Sequence, residues 1–410
     1  MQYRQFTKRA KIFYGIAIVF FIWFLIMLVH TRGQALLDVF YRAPKDTFFD
    51  FTTSVMDCKF WGQTGSMYPP VAIIFFFIVA HLMPGSYYEY GFKEYAVSRL
   101  GEMYILLFTM ACIILMFWVM EHILEFEKKY TRTLLVLLVM SAPFLYEMQR
   151  GNILLLCVPL VLFFVKYYDS DKLWLRVLAI IAIGLAAGIK IYPIMLGFMI
   201  VKDKRWKQLG ICVILGLLAV GAVVVMMGGF SFITTMFERL SNTSAFFNDR
   251  GFGHQLSLSN WVGLLNAGLG LELNVKAVTI AVYGLMVVGF IFSKKRWQQL
   301  ALLTAPMIMV PSISFVYTMV FMVVPLCYFL IDDEDFCWMD WVYALLLAGC
   351  FVIIPFGGSN AFAFTEDQYY HLNITTVVEN VCLNGMVICI SIESIVGFVM
   401  SLATKAKSKK

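Results

Sequence analysis

Long apolar runs, separated by short polar breaks, occupy most of this chain. They lie near residues 12–30, 69–84, 103–124, 133–148, 152–167, 173–201, 208–228, 274–293, 298–311, 314–331, 338–356 and 374–402. Many hold about 16–25 residues, and roughly 20 residues of helix span the hydrocarbon core of a bilayer. A bilayer leaves no water for the backbone, so each spanning segment must bond its own N–H and C=O groups, which favours helices. The roughly 10-residue alternating segments of an outer-membrane barrel are not visible. The pattern predicts an all-α polytopic membrane protein of about twelve transmembrane helices.

The polar breaks predict the rest of the layout, all within one transmembrane domain over 1–410. Residues 31–68 form a long first loop directly after the first helix, with Asp38, Asp46, Asp50 and Asp57. It ends at Tyr68-Pro69-Pro70, where proline suits the first turn of a helix because its missing N–H costs nothing there. Residues 229–273 form a second loop, with a re-entrant or interfacial piece near 256–270. Residues 403–410 are a basic tail. No internal repeat is evident, which weakens the case for an inverted-repeat transporter.

Composition agrees with this class. Apolar residues make up 61% of the chain and charged residues 14%, against about 45–50% and roughly 25% in soluble domains. Most of the nine cysteines sit in apolar runs without a CxxC pair, and they read as small buried hydrophobes. Only Cys58 falls in an aqueous loop. The five scattered histidines suggest no zinc cluster.

The net charge of +6 gathers in the flanks of apolar runs, which points to membrane orientation and not to nucleic acid. Arg4, Lys8, Arg9 and Lys11 precede an uncleaved first helix. Lys202, Lys204, Arg205 and Lys207 form a cytoplasmic cluster, as do Lys294, Lys295 and Arg296, and the lysines of the tail. Both termini are then inside and the two long loops outside. An even number of crossings must separate the N-terminus from Lys202. Six result if 173–201 is one helix, kinked by Pro193. If 173–189 and 191–201 cross separately, one other segment must fail to cross. Asp332, Asp333, Glu334 and Asp335 read as a solvated cytoplasmic turn.

Several short motifs follow one another in order. They are Asp46-Thr47-Phe48-Phe49-Asp50-Phe51, Tyr68-Pro69-Pro70, Gln149-Arg150-Gly151-Asn152 and Gly188-Ile189-Lys190-Ile191-Tyr192-Pro193. Next come His254-Gln255-Leu256-Ser257-Leu258-Ser259-Asn260 and Pro311-Ser312-Ile313-Ser314-Phe315-Val316-Tyr317. Their order and spacing resemble the family-87 glycosyltransferases of the GT-C superfamily, over roughly residues 12–330 and most strongly over 46–70 and 149–207. No single motif is specific.

The resemblance implies a GT-C-type fold. It also implies transfer of a sugar, a hexose such as mannose, from a polyprenyl-phosphate donor to a glycolipid or glycan acceptor at the outer face, in a bacterial plasma membrane. It implies no metal or other cofactor. Asp50 falls at the family's first-loop aspartate, where a carboxylate suits a general base. Lys190 matches the family's lysine and suits the donor phosphate, with Arg150 as a second candidate. Asp46 rivals Asp50. Tyr68, Asn152, Tyr192, His254 and Tyr317 are substrate-binding candidates. Some members carry a tryptophan and a histidine where this chain has Phe315 and Tyr317.

Each candidate has a plainer reading. An acid in a loop is most often just solvated, and a lysine near a membrane end snorkels. Asn152 reads equally as a helix-packing residue, and His254 as an ordinary loop histidine. Six simple crossings also put Arg150 on the inner side, away from Asp50, unless some segment between 69 and 201 dips in without crossing. The competing functions are a transporter or flippase for a lipid-linked or polar solute, motivated by the helix count and by Lys190 and Arg150, and a structural subunit. A subunit leaves Asp50 and Lys190 without a shared purpose.

Overall fold

The computed structural model describes residues 3–37, 39, 47–59, 68–226, 229–250, 255–354, 362–363, 371–372 and 374–407. Within them the chain is helical, apart from one antiparallel ladder pairing Phe362 with Leu372 and Ala363 with His371. The helices are α1 (Lys8–His30), α2 (Gln34–Leu37), α3 (Phe49–Asp57), α4 (Pro70–His81), α5 (Phe92–Ala96) and α6 (Arg99–Leu124). Then come α7 (Lys128–Val139), α8 (Ala142–Arg150), α9 (Leu154–Tyr167), α10 (Leu173–Ile189), α11 (Phe198–Lys202), α12 (Trp206–Met226) and α13 (Ser231–Arg250). The last are α14 (Leu258–Leu269), α15 (Val275–Phe292), α16 (Arg296–Met309), α17 (Val323–Leu330), α18 (Met339–Gly349) and α19 (Ile374–Lys407).

Among the described residues, four helices are long and apolar enough to cross a membrane: α1, α6, α15 and most of α19. A fifth span results if the bent pair α7–α8 counts as one. Most of the other apolar runs are helices of 10–17 residues, among them α4, α9, α10 and α18. The twelve runs therefore do not translate into twelve long helices, because proline and lysine break several of them. Pro143 stands at the second position of α8, where proline is tolerated, and the chain bends just before it at Met140 and Ser141. Within 173–201, α10 stops at Ile189, Lys190 is extended (φ −139°, ψ 133°), and a 3₁₀ turn runs over Tyr192–Gly197 before α11.

The chain divides into two compact units. One comprises Arg42–Met120 and Phe144–Phe246. Here α9 packs along α10, α10 on α4, and α3 against α4 and α5. At one end, Lys59 Nζ donates to the carbonyls of Tyr88 (2.7 Å) and Tyr90 (2.9 Å), and Phe92 meets the Phe49 ring edge-on. The chain leaving α4 thus returns to α3. With 12 residues, α4 is about 18 Å long, too short to span. At the other end, the Tyr168 hydroxyl donates to Asp203, so α9 and α10 each run from one end of the unit to the other. Arg150 and Lys190 consequently lie at the same end as Asp50. The run 173–201 is thus not one continuous helix but breaks at Lys190, the second of the two alternatives left open by the sequence.

The second unit comprises Met1–Tyr41, Glu121–Pro143 and Phe247–Lys410. Arg9 is buried here. Its Nε donates to Asp340 Oδ1 (2.8 Å), and its Nη1 to the carbonyls of Asp332 (2.8 Å) and Glu334 (3.0 Å). Arg4 pairs with Asp333, and Thr7 donates to the carbonyl of Leu330. The acidic run is therefore not only a solvated turn: its carbonyls and carboxylates receive the N-terminal segment. Leu256 N–H donates to Ser314 C=O (2.7 Å), and Gln255 bridges to Phe315, so two of the sequence motifs lie side by side. Cys58, read as a loop thiol, is buried, whereas Cys337 is exposed.

Candidate active site

The site is assembled at the C-terminus of α8. Gly151 takes φ +63°, a conformation cheap only for glycine, and ends the helix. Its N–H and that of Asn152 both donate to Glu147 C=O (2.9 and 3.3 Å). The turn throws Asn152 back over the helix end. Asn152 Oδ1 then accepts the Leu154 N–H (3.0 Å), a local turn that starts α9, and leaves Nδ2 facing the first loop.

That loop docks by its backbone. Phe48, at φ +61°, donates its N–H to Gln149 C=O at 2.6 Å, and α3 begins on the next residue. Asp50, in the first turn of α3, thereby meets the end of α8. Its Oδ1 accepts from Arg150 Nη2 and its Oδ2 from Asn152 Nδ2 (2.7 Å). The pair is nearly withdrawn from solvent, with Arg150 16% and Asp50 12% exposed. The guanidinium also lies 5.1 Å from the Phe49 ring centroid.

Tyr68 and Lys190 complete the cluster. Asn152 Nδ2 also donates to the Tyr68 hydroxyl (3.3 Å), and the Tyr68 ring lies under Lys190 Nζ at 4.1 Å. Among the described residues Lys190 makes no ion pair, so a cation–π contact holds it while its charge stays available. This follows from the break after α10, because an extended Lys190 leaves the helix at its end. Two acid–base functions are thus separated. One cation, Arg150, orients a carboxylate, and a second, Lys190, makes no ion pair among the described residues.

These groups come from the three motifs around 50, 68 and 150 and from the Lys190 motif. They fit the chemistry of glycosyl transfer, in which a carboxylate takes a proton and a cation meets the departing phosphate. The sequence model of glycosyltransferase family 87 matches residues 67–316, more than half of the chain. The chain belongs to glycosyltransferase family 87. No curated protein and no solved structure matches it. The match includes Tyr68, Arg150, Asn152, Lys190 and Tyr192; Asp50 and Tyr317 lie outside it.

This family-87 glycosyltransferase brings together five of the residues singled out from sequence: Asp50, Tyr68, Arg150, Asn152 and Lys190. Tyr192 lies on the 3₁₀ turn that follows Lys190, half-buried. Tyr317 is in the other unit, buried, with its ring 5.9 Å from that of Phe315. Asp46 and His254 lie outside the described residues. From sequence Gln149 stood in a motif without a role, yet its carbonyl receives Phe48; Glu147, fully buried beside the site, was missed. An acid one turn before Arg150, on the polar arm of an otherwise apolar run, was the available signal for Glu147.

Proposed function

We propose that this membrane glycosyltransferase moves a hexose such as mannose from a polyprenyl-phosphate donor to a glycolipid or glycan acceptor at the outer membrane face, by inversion. The observation that carries the reading is the division of labour between the two cations: Arg150 holds Asp50, while Lys190 sits on Tyr68 and makes no ion pair among the described residues. Asp50 is the general base. Arg150, weighed from sequence as a phosphate ligand, is assigned to orienting Asp50. Lys190 takes the donor phosphate.

In a single displacement the acceptor oxygen attacks the anomeric carbon as the bond from that carbon to the phosphate oxygen breaks. The acceptor proton passes to Asp50. The electron pair leaves with the lipid phosphate, whose new negative charge faces Lys190. Asn152 and Arg150 fix the Asp50 carboxylate before substrate arrives, so little reorganisation remains in the transition state. The apolar surface of the helices suits a polyprenyl tail.

The test is a transfer assay in nanodiscs with a panel of radiolabelled polyprenyl-phosphate sugars, membrane lipids as acceptors, and Asp50→Asn in parallel. General-base loss typically costs about 10²–10⁴ in rate, so transfer by the wild type and a drop of that size in a folded Asp50→Asn protein are expected. Transfer that survives the substitution moves the base to Asp46 or Asp57. No transfer from any polyprenyl-phosphate sugar sinks the donor assignment.

A further inference from the structure

Glu147 lies one turn before Arg150 on α8 and is fully buried. Its Oε1 accepts the Leu155 N–H at 2.8 Å, and its Oε2 has no hydrogen-bond partner among the described residues. The charged groups that face it are Asp50 from α3, Arg150 from its own helix and Lys190 from the end of α10. The uncharged titratable groups around it are Tyr68, Tyr192, Cys112 and Cys157. Arg150 is engaged by Asp50, and among the described residues Glu147 makes no ion pair with either cation.

A carboxylate buried with a bare oxygen and no ion-paired cation is far costlier than a neutral acid in the same place. A neutral acid keeps the one hydrogen bond it has and buries no net charge. We propose that Glu147 is a positioning residue that keeps its proton and so leaves the whole charge of Lys190 to the donor phosphate. This rests on the donor reading above. When the carbon–phosphate oxygen bond breaks, the phosphate gains a negative charge, Asp50 gains the acceptor proton, and Glu147 exchanges nothing. An ionised Glu147 would cancel the Lys190 charge at the step that uses it.

The Glu147→Gln variant tests this in the full-length protein. A glutamine carbonyl still accepts the Leu155 N–H, so the variant should fold, as a thermal melt would check. The infrared spectrum of the wild type should contain a protonated-carboxyl stretch that the variant loses. This readout needs no activity, so it decides the proton even if the donor reading fails. The donor KM of the variant should change by less than about threefold, since one neutral group replaces another. Removing an ionised carboxylate from the neighbourhood of Lys190 would lower that KM by about tenfold or more. An infrared spectrum from which no protonated carboxyl is lost, or a tenfold fall in donor KM, overturns the proposal.

Discussion

Two donors on one carboxylate set the chemistry at the scale of single residues. Arg150 and Asn152 reach different oxygens of Asp50 and so fix the plane of the group. Substituting Arg150 by lysine keeps the charge and loses the planar fork. We expect kcat to fall by about tenfold or more with donor KM moved less, because a misplaced base is a transition-state defect. A rise in donor KM alone would return Arg150 to the phosphate. Lys190→Met should do the opposite and raise donor KM by about tenfold or more, given that charge-assisted bonds contribute about 1.5–3 kcal/mol. Asn152→Ala should lower both rate and stability, since it removes an Asp50 donor and the turn that starts α9; steady-state kinetics and a melting curve would separate the two. At this scale the sequence marked five side chains that the fold brings together. It gave Arg150 to the phosphate and did not pair it with Asp50, because the partner of a cation depends on which end of a helix meets which loop.

Elements carry these residues through two close approaches. One is the glycine turn after α8. The other is the crossing of α10 on α4, where Gly188 faces Val71. A Cβ on Gly188 would lie 2.3 Å from Val71 Cγ2, a distance no packed structure tolerates. Gly188→Ala should therefore destabilise by about 1–3 kcal/mol and displace Lys190, which is two residues away. Transfer activity and the melting temperature should both fall, and Val71→Ala added to Gly188→Ala should restore them in part. If Gly188→Ala is silent in both measurements, the helices are not packed as described. The start of α4 at Pro70 was legible from its proline pair. The break at Lys190 was open in the sequence as two alternatives, since hydropathy alone reads 173–201 as continuous.

At the scale of the whole molecule, buried charge ties the N-terminal segment to a distant part of the chain. Arg9 is buried against Asp340, 331 residues away in sequence. Removing one member of a buried pair strands the other, at a cost of about 3–5 kcal/mol. Arg9→Met should therefore lower the melting temperature sharply, and Asp340→Asn added to it should recover part of the loss. The return of the chain to Lys59 after α4 makes a second expectation. In a background without native cysteines, Ser86→Cys and Asp171→Cys should react with an impermeant maleimide from opposite faces of the membrane. Labelling of both from one face would mean that 69–84 crosses.

The apolar runs by themselves determined that this is a helical membrane protein, because a bilayer enforces internal hydrogen bonding on any segment that enters it. The ordered motifs also pointed to family 87, whose sequence model matches the chain. Only the tertiary structure decided which runs are broken and which polar groups share an end. Those outcomes turn on an extended Lys190, a left-handed Gly151 and a short α4, each a local geometry that hydropathy averages away. The burial of Glu147 is of the same kind: a lone acid in a polar arm becomes a group without an ion-paired cation only when α8 and α9 close around it.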